Sequence, residues 1–364
     1  MAERTRVMCF ATQGHGHIEE ERIRDLLAPL DAVVFEFERA HKVRSALALA
    51  RAVRAARPDL IVMEGTGTAG GLTLIALDAF LGVPFVVCSG DAVGPYLGLR
   101  GHLVGVLGGL YERLLCRRCA GYVGWTPYLV GRALSFGAQR AMTAPGWTRG
   151  TVSEDARRKI RERLNIAEDT IAVGLVGSMH WNDRLDYTYG AELVRAMALV
   201  KRTDVVACLI GDGSGRAHLE QMAGDDLGQR ILFPGRVPPS EVPDYLAALD
   251  AGTLSQSVDR VGSFRFTTKL SEYFASCLPV ITGEIPAAYD LDEDFMWRVP
   301  GSAPWSPIHV RALAELLEGL TAEEVARRRD AMRSRTSEPF DKATQQRRMK
   351  AFVEDLISER GSAA

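Results

Sequence analysis

The 364-residue sequence is poor in lysine, cysteine and aromatic residues. Only six of its 44 basic residues are lysine, so arginine carries nearly all the positive charge. Basic and acidic residues almost cancel, 44 against 46, for a formal net charge of −2. A one-sided excess of charge is absent, and no nucleic acid partner is expected. The six cysteines, at 9, 88, 116, 119, 208 and 277, are too few and too scattered for a disulfide scaffold. Cys9, Cys88 and Cys208 stand in apolar runs and read as small core residues. Cys116 and Cys119 form a lone CxxC without a second pair or a histidine pair nearby, so chance spacing at a helix end is preferred to a zinc or redox site. No uncharged run reaches the ~18 residues that a spanning helix needs. No signal-like stretch precedes the first strand-like run, and a reducing cytoplasm is the expected compartment.

What is present is an ordinary globular composition, 47% hydrophobic and 25% charged, with length enough for two domains. Apolar, β-rich runs at 6–11, 32–37, 59–63, 84–88, 121–124 and 141–144 alternate with helical patterns at 18–29, 41–56, 69–82, 94–118 and 127–136. Strand–helix alternation predicts a parallel sheet covered on both faces. The pattern breaks near 148–168 and restarts with strands at 170–177, 205–210, 230–233 and 279–282. Interleaved helices are expected at 189–201, 216–223, 241–249 and 267–277, followed by 309–319, 322–334 and 341–360. The expected fold class is α/β, with two Rossmann-like doubly wound domains facing a cleft. Domain one spans 1–148 and domain two 149–340, and a helix over 341–364 returns to the first. In such folds ligands bind beyond the carboxyl ends of the strands.

Several loops at those strand ends carry suitable chemistry. Gln13-Gly-His15-Gly16-His17 follows the first strand and opens a helix, where glycines admit a ligand and either histidine can act as a base. Glu19, Glu20 and Glu21, in the first turn of that helix, are explained by its dipole. Glu64 and Asp91 close two later strands and are candidate acceptor-binding residues, with His17 beside them. Gly65-Thr-Gly-Thr-Ala-Gly70 has the form of a dinucleotide fingerprint but follows the third strand; a plain tight turn is preferred. In the second half, Arg184 stands in a polar loop after a strand, as a candidate phosphate ligand. Ile210-Gly211-Asp-Gly213 ends another strand in a flexible turn. Arg265, Thr268 and Lys269 open a helix, and Glu272 lies one turn on, suited to ribose hydroxyls. The acidic run Asp290-Leu-Asp292-Glu-Asp294 reads as solvated surface, and no metal site is expected. The basic helix His41–Pro58 and the apolar segment Leu103–Leu115, followed by Arg117 and Arg118, are candidates for weak contact with an anionic membrane surface.

The order of these pieces resembles glycosyltransferase family 4, of the two-domain GT-B architecture. The likeness covers about 165–285 well, from Val176-Gly177 through Ile210-Gly-Asp-Gly, Gly235-Arg236-Val237 and Val242–Asp250 to Lys269-Leu-Ser-Glu272. The first half matches more loosely, through its glycine loop around Gly16. The resemblance implies that the Arg236-Val237 loop cradles the nucleobase, that Glu272 holds the ribose, and that Arg184 and Lys269 meet the diphosphate. Two departures stand out. The family's paired glutamate, eight residues before Glu272, is Phe264 here, and its earlier basic residue is Ser178. The phosphate grip is then expected to be rebuilt from Arg265. In the first half Asp91 survives from a His-Asp pair whose histidine is missing, while the glycine–histidine loop resembles that of inverting enzymes. Retention and inversion therefore both stay open.

The resulting expectation is a metal-independent sugar transferase that uses a nucleotide-diphosphate sugar and no further cofactor. His15, His17, Asp91 and Arg184 are its candidate catalytic residues. Rival readings are a nucleotide-sugar epimerase of the same architecture, a dinucleotide oxidoreductase using Gly65–Gly70, and a degenerate homologue that activates a partner. The acceptor, the donor base and the oligomeric state leave no mark that the sequence reveals.

Overall fold

The computed structural model describes residues 6–147, 152–291, 294–334 and 340–361. The chain forms two compact units. One takes the described residues up to Gly146, together with Phe264–Phe266 and the C-terminal helix; the other takes the rest. The expected junction at 148–149 lies outside the described residues, as do Asp292 and Glu293 of the acidic run.

The first unit is built on a six-stranded sheet: β1 (Val7–Ala11), β2 (Val33–Val34), β3 (Leu60–Glu64), β4 (Phe85–Ser89), β5 (Gly121–Gly124) and β6 (Ala141–Thr143). All pairings are parallel, in the order β2-β1-β3-β4-β5-β6. Residues of β1, β3, β4 and β5 are buried throughout, as expected of a sheet with helices on both faces. Its core joins Phe10, Phe37, Ile61, Phe85 and Leu129. The C-terminal helix Lys342–Gly361 belongs to this unit: Lys342 Nζ lies 2.7 Å from Asp25 Oδ2, and Phe352 and Leu356 cover Gly121.

The second unit repeats the plan with β7 (Ile171–Val176), β8 (Val205–Ile210), β9 (Ile231–Gly235), β10 (Ala251–Leu254), β11 (Val280–Gly283) and β12 (Met296–Val299). This sheet too is parallel, ordered β12-β11-β10-β7-β8-β9. Val173, Leu193, Leu209, Ile281 and Leu313 anchor its core. Asp250, just before β10, ties the helix Ala156–Arg163 to the sheet: its carboxylate accepts from Arg157 Nη2 at 2.7 Å, Arg161 Nη1 at 3.2 Å and the Ala172 amide at 2.8 Å.

Three sequence expectations need correction. No expected strand covers β10 or β12, because Ala251-Gly-Thr-Leu254 is small and partly polar and Met296-Trp-Arg-Val299 is interrupted by the exposed Arg298. The helix expected over 94–118 is two, Val93–Gly98 and His102–Arg118, broken where Gly101 takes a φ of 150°. The second strand shrinks to Val33–Val34, since the chain then turns inward to bury Phe37.

Candidate active site

In the first sheet the chain runs from β1 outward to β2 and then crosses back to β3, so the strand order reverses between β1 and β3. Such a switch point leaves a crevice at the carboxyl ends of the strands. A cavity of about 310 Å³ opens there, between Thr12 after β1, Glu64–Gly70 at the end of β3, Ser89–Asp91 after β4 and Trp125 after β5. Arg39, Lys42, Tyr96, Arg100 and Arg265 complete its wall.

Three acidic residues line this cavity in different surroundings. Glu64 is fully buried; Arg22 Nη1 donates to Oε2 at 2.6 Å and Trp125 Nε1 to Oε1 at 3.2 Å. Burial pushes its pKa up and the Arg22 charge opposes that rise. Arg22 is itself fixed, with Nη2 donating 2.6 Å to the Ala144 carbonyl and its guanidinium 4.3 Å from the Trp125 ring centre. Asp91 accepts from Arg265 Nε at 2.7 Å. Glu19 is the exception. Its Oε2 is buried and has no hydrogen-bond partner among the described residues. Burial first, then the charges of Glu64 and Asp91, push its carboxyl up to about 7. The helix dipole accounts for Glu19 only in part: the side chain turns inward, over Gly65, where a Cβ would lie 3.3 Å from Oε2.

The histidines of the first loop stand outside this lining. His17 Nδ1 accepts the Glu19 amide at 3.2 Å and so caps the helix Ile18–Leu26. His15 Nδ1 pairs with Glu20 Oε2 at 3.0 Å, and its ring is half exposed. Gly16, with a φ of 74°, has open space around it. The glycines of Gly65–Gly70 make room for side chains of this unit. A Cβ on Gly65 would meet Thr12 Oγ1 at 2.4 Å, one on Gly67 would meet Thr12 Cβ at 2.7 Å, and one on Gly70 would meet Phe10 at 3.0 Å. Packing therefore explains the spacing that mimics a dinucleotide fingerprint. Cys116 and Cys119 are both buried free thiols, and Cys119 Sγ donates to the Cys116 carbonyl at 3.3 Å. Burial pushes Cys116 up to about 12, which leaves no reactive thiolate.

The second sheet has its own switch point, between β7 and β10. Lys269 reaches over the end of β7: a Cβ on Gly177 would lie 2.9 Å from Lys269 Cε and 3.1 Å from Nζ. The ammonium also sits 4.7 Å from the centre of the Tyr189 ring. Glu272 follows one turn later in the helix Thr268–Ala275, half-buried, while Thr268 and Ser178 are exposed. Gly211, with a φ of 142°, lies flat against the β7 loop, where a Cβ would fall 1.9 Å from the Gly177 carbonyl oxygen. Gly213 packs the same way on Met179, with 2.4 Å between its would-be Cβ and that carbonyl oxygen. Arg236 is exposed and Val237 half-buried after β9. Arg184 is exposed on a turn, with its amide bonded to Asn182 Oδ1 at 3.1 Å.

Two groups differ from the sequence expectation. Arg265 does not join Lys269 in the second unit: the segment Phe264–Phe266 belongs to the first, where Asp91 holds Arg265. Phe264, in place of the family's glutamate, anchors that segment. Its carbonyl accepts from Thr126 Oγ1 at 3.0 Å, and Arg132 stacks 5.2 Å from its ring centre. Sequence reading also missed Glu192, which is buried, accepts from Tyr187 Oη at 2.8 Å and bonds Ser255 Oγ after β10. Among the described residues no cluster of three or more His, Cys, Asp or Glu is arranged to hold a metal.

Residues 3–145 match the glycosyl transferase 4-like domain, and residues 170–315 match the glycosyl transferases group 1 family. Among curated proteins none matches. Solved structures share the fold at low identity. Anabaena HepE in complex with UDP is 15% identical with a TM-score of 0.74, the match covering 96% of this chain and 100% of that one. Sucrose-phosphate synthase from Thermosynechococcus elongatus is 14% identical with a TM-score of 0.69, covering 97% and 100%. The lipopolysaccharide outer core galactosyltransferase WaaB is 12% identical with a TM-score of 0.63, covering 96% and 99%.

Proposed function

Because the chain belongs to the group 1, family 4-like glycosyltransferases, we propose that it moves a sugar from a nucleotide-diphosphate sugar, bound by the second unit, to an acceptor hydroxyl bound in the cavity of the first. The observation that carries this reading is the second switch point, where Lys269 overlies Gly177 and Glu272 follows one helical turn on. An ammonium above backbone amides suits a diphosphate, and a carboxylate one turn away suits the ribose diol. That the HepE structures contain UDP, and in one case UDP-glucose, supports a uridine donor.

As the glycosidic bond breaks, negative charge collects on the leaving diphosphate. Lys269, helix-end amides and Arg184 are the groups we assign to its stabilisation, so the transfer is read as metal-independent. On the acceptor side, Glu19 replaces His15 and His17 as our choice of base, because the residue lines the cavity and its buried Oε2 has no hydrogen-bond partner among the described residues. In an inverting transfer the acceptor O–H proton passes to Glu19 and the oxygen bonds the anomeric carbon. The bond from that carbon to the phosphate oxygen breaks, and the nucleoside diphosphate departs with the electron pair. In a retaining transfer the leaving phosphate takes the proton, and Glu19 with Asp91 only orients the hydroxyl.

The test is a calorimetric titration with UDP, GDP, ADP and NAD, on the wild type and on Glu272→Ala. Binding of one nucleoside diphosphate, weakened at least about tenfold by the substitution, is expected from loss of a charge-assisted ribose contact. Binding of NAD alone, or of none of the four, would overturn the proposal.

A further inference from the structure

The helix His102–Arg118 changes character along its length. Tyr111 and Leu115 pack into the core, but the inward face of its first half is small: Gly105 and Gly109 pack against Gly94 and Gly98 of the preceding helix, with a would-be Cβ on Gly105 only 2.8 Å from Gly98 Cα. Its outward face is aliphatic. Leu103, Leu107, Leu110 and Leu114 follow one another at helical spacing and are 70%, 58%, 59% and 43% exposed. Val106, on the adjoining line, is 47% exposed, and Leu99, in the turn before the helix, 61%. Single exposed leucines are ordinary, whereas a continuous stripe of this kind marks an interaction surface.

Along the segment itself the exposed charge is of one sign, and the nearby Asp78 is taken up by Arg118 at 3.3 Å. From Ala92 to Ala120 the sequence has a single acid, Glu112, and it is buried with its carboxylate held by Arg132 Nε at 2.7 Å. Arg100, Arg113 and Arg117 are exposed along the flanks. A two-fold contact with a second copy would set these arginines against their own copies. An aliphatic stripe bordered by arginines and lacking exposed acid matches instead the boundary between acyl chains and anionic headgroups. The stripe also leads to the cavity, for Tyr96, Leu97 and Arg100 line that cavity and immediately precede it.

We infer that the first unit docks on an anionic lipid bilayer through the outward face of the helix His102–Arg118, which sets the mouth of its cavity at the headgroup layer. The leucines enter the acyl boundary while the arginines meet lipid phosphates. No helix among the described residues is long and apolar enough to cross a membrane, so the contact is interfacial. An acceptor drawn from that surface would be a lipid whose hydroxyl-bearing headgroup enters the cavity. This last step rests on the reading of the cavity given above; the docking itself does not.

The experiment is co-sedimentation of the full chain with vesicles of phosphatidylcholine alone and of phosphatidylcholine with phosphatidylglycerol in equal parts. Pelleting is expected with the mixed vesicles and should decline as salt rises. Leu103→Glu with Leu107→Glu should weaken partition at least about tenfold, given the apolar burial each leucine loses. Arg113→Ala and Arg117→Ala should each weaken it about fivefold. Leu199→Glu, at an exposed leucine of the second unit, should change nothing. Circular dichroism and the UDP titration on the same proteins separate loss of docking from loss of fold or of donor binding. The inference is overturned if the wild type fails to pellet, if it pellets equally with both vesicles, or if the leucine pair is without effect. A concentration-dependent dimer dissolved by the leucine pair would overturn it too, by giving the stripe to a second copy.

Discussion

Both units end their central strands at a switch point, but they furnish it with different materials. The first lines it with charged side chains, Glu19, Glu64 and Asp91 against Arg22 and Arg265. Beside the second the backbone itself is close-packed, as Gly177, Gly211 and Gly213 bring the loops after β7 and β8 into van der Waals contact and Lys269 reaches over Gly177. Backbone amides bind a group that is common to every donor of a class, such as a diphosphate. Side chains that hold charge and direct hydrogen bonds discriminate among ligands. The contrast therefore fits a constant donor site in the second unit and a particular acceptor site in the first.

The largest effect is expected where backbone lies on backbone. Gly211→Ala places a Cβ 1.9 Å from the Gly177 carbonyl oxygen at a φ that L residues rarely adopt. Strain and forced overlap together should cost about 4–6 kcal/mol. Denaturant unfolding should show the loss in the second unit, and retained stability with normal UDP binding would mean that the two loops do not rely on this contact. Next comes the charge pair of the first unit. Arg22→Met leaves Glu64 buried and unpaired, which should cost about 3–5 kcal/mol. The double variant Arg22→Met with Glu64→Leu should recover most of that, whereas a double variant as unstable as the single one would locate the loss in packing against Trp125.

How much of this was legible in the sequence depends on whether the signal was periodic. The long strands announced themselves as apolar runs because both faces of each sheet are buried. Ala251–Leu254, with Gly252 pressed on Tyr273, and Met296–Val299, broken by the exposed Arg298, have no such run. Loop positions were legible where glycine marks a strand end, as at Gly177 and Gly211. Side-chain direction was not. Glu19, Glu20 and Glu21 are indistinguishable as an acidic first turn, yet Glu20 pairs with His15 and Glu19 turns toward the cavity. Arg265 read as a neighbour of Lys269 because they are four residues apart in sequence. The three-residue segment Phe264–Phe266, which holds Arg265, belongs to the other unit, and no local pattern records that.

The two units should also respond to pH in opposite directions. Burial holds His309 of the second unit down to about 4, with its Nδ1 lacking a partner among the described residues. A depressed histidine stays neutral in the folded state, so its contribution is present above about 6.5 and is lost as pH falls toward 4, to the extent of about 3 kcal/mol. Hydrogen exchange between pH 7 and 4 should show the second unit opening first, and His309→Gln should remove that difference. If the first unit opens earlier in the variant and the wild type alike, His309 is not the cause.

The smallest effect on stability carries the sharpest functional consequence. Glu19 is raised to about 7, so the folded state favours its protonated form. The stability it contributes is complete below about 4.5 and is lost as pH rises through about 7. Glu19→Gln should therefore stabilise the first unit by about 1–2 kcal/mol at alkaline pH and leave it unchanged in acid. Turnover should move the other way. If Glu19 accepts the acceptor's proton, activity rises with pH through about 7 and the glutamine variant loses both that limb and about a hundredfold in kcat. If the leaving phosphate takes the proton, the variant keeps most of its kcat and shows its defect in KM for the acceptor. The split between kcat and KM then reports whether Glu19 moves a proton or only holds a hydroxyl in place.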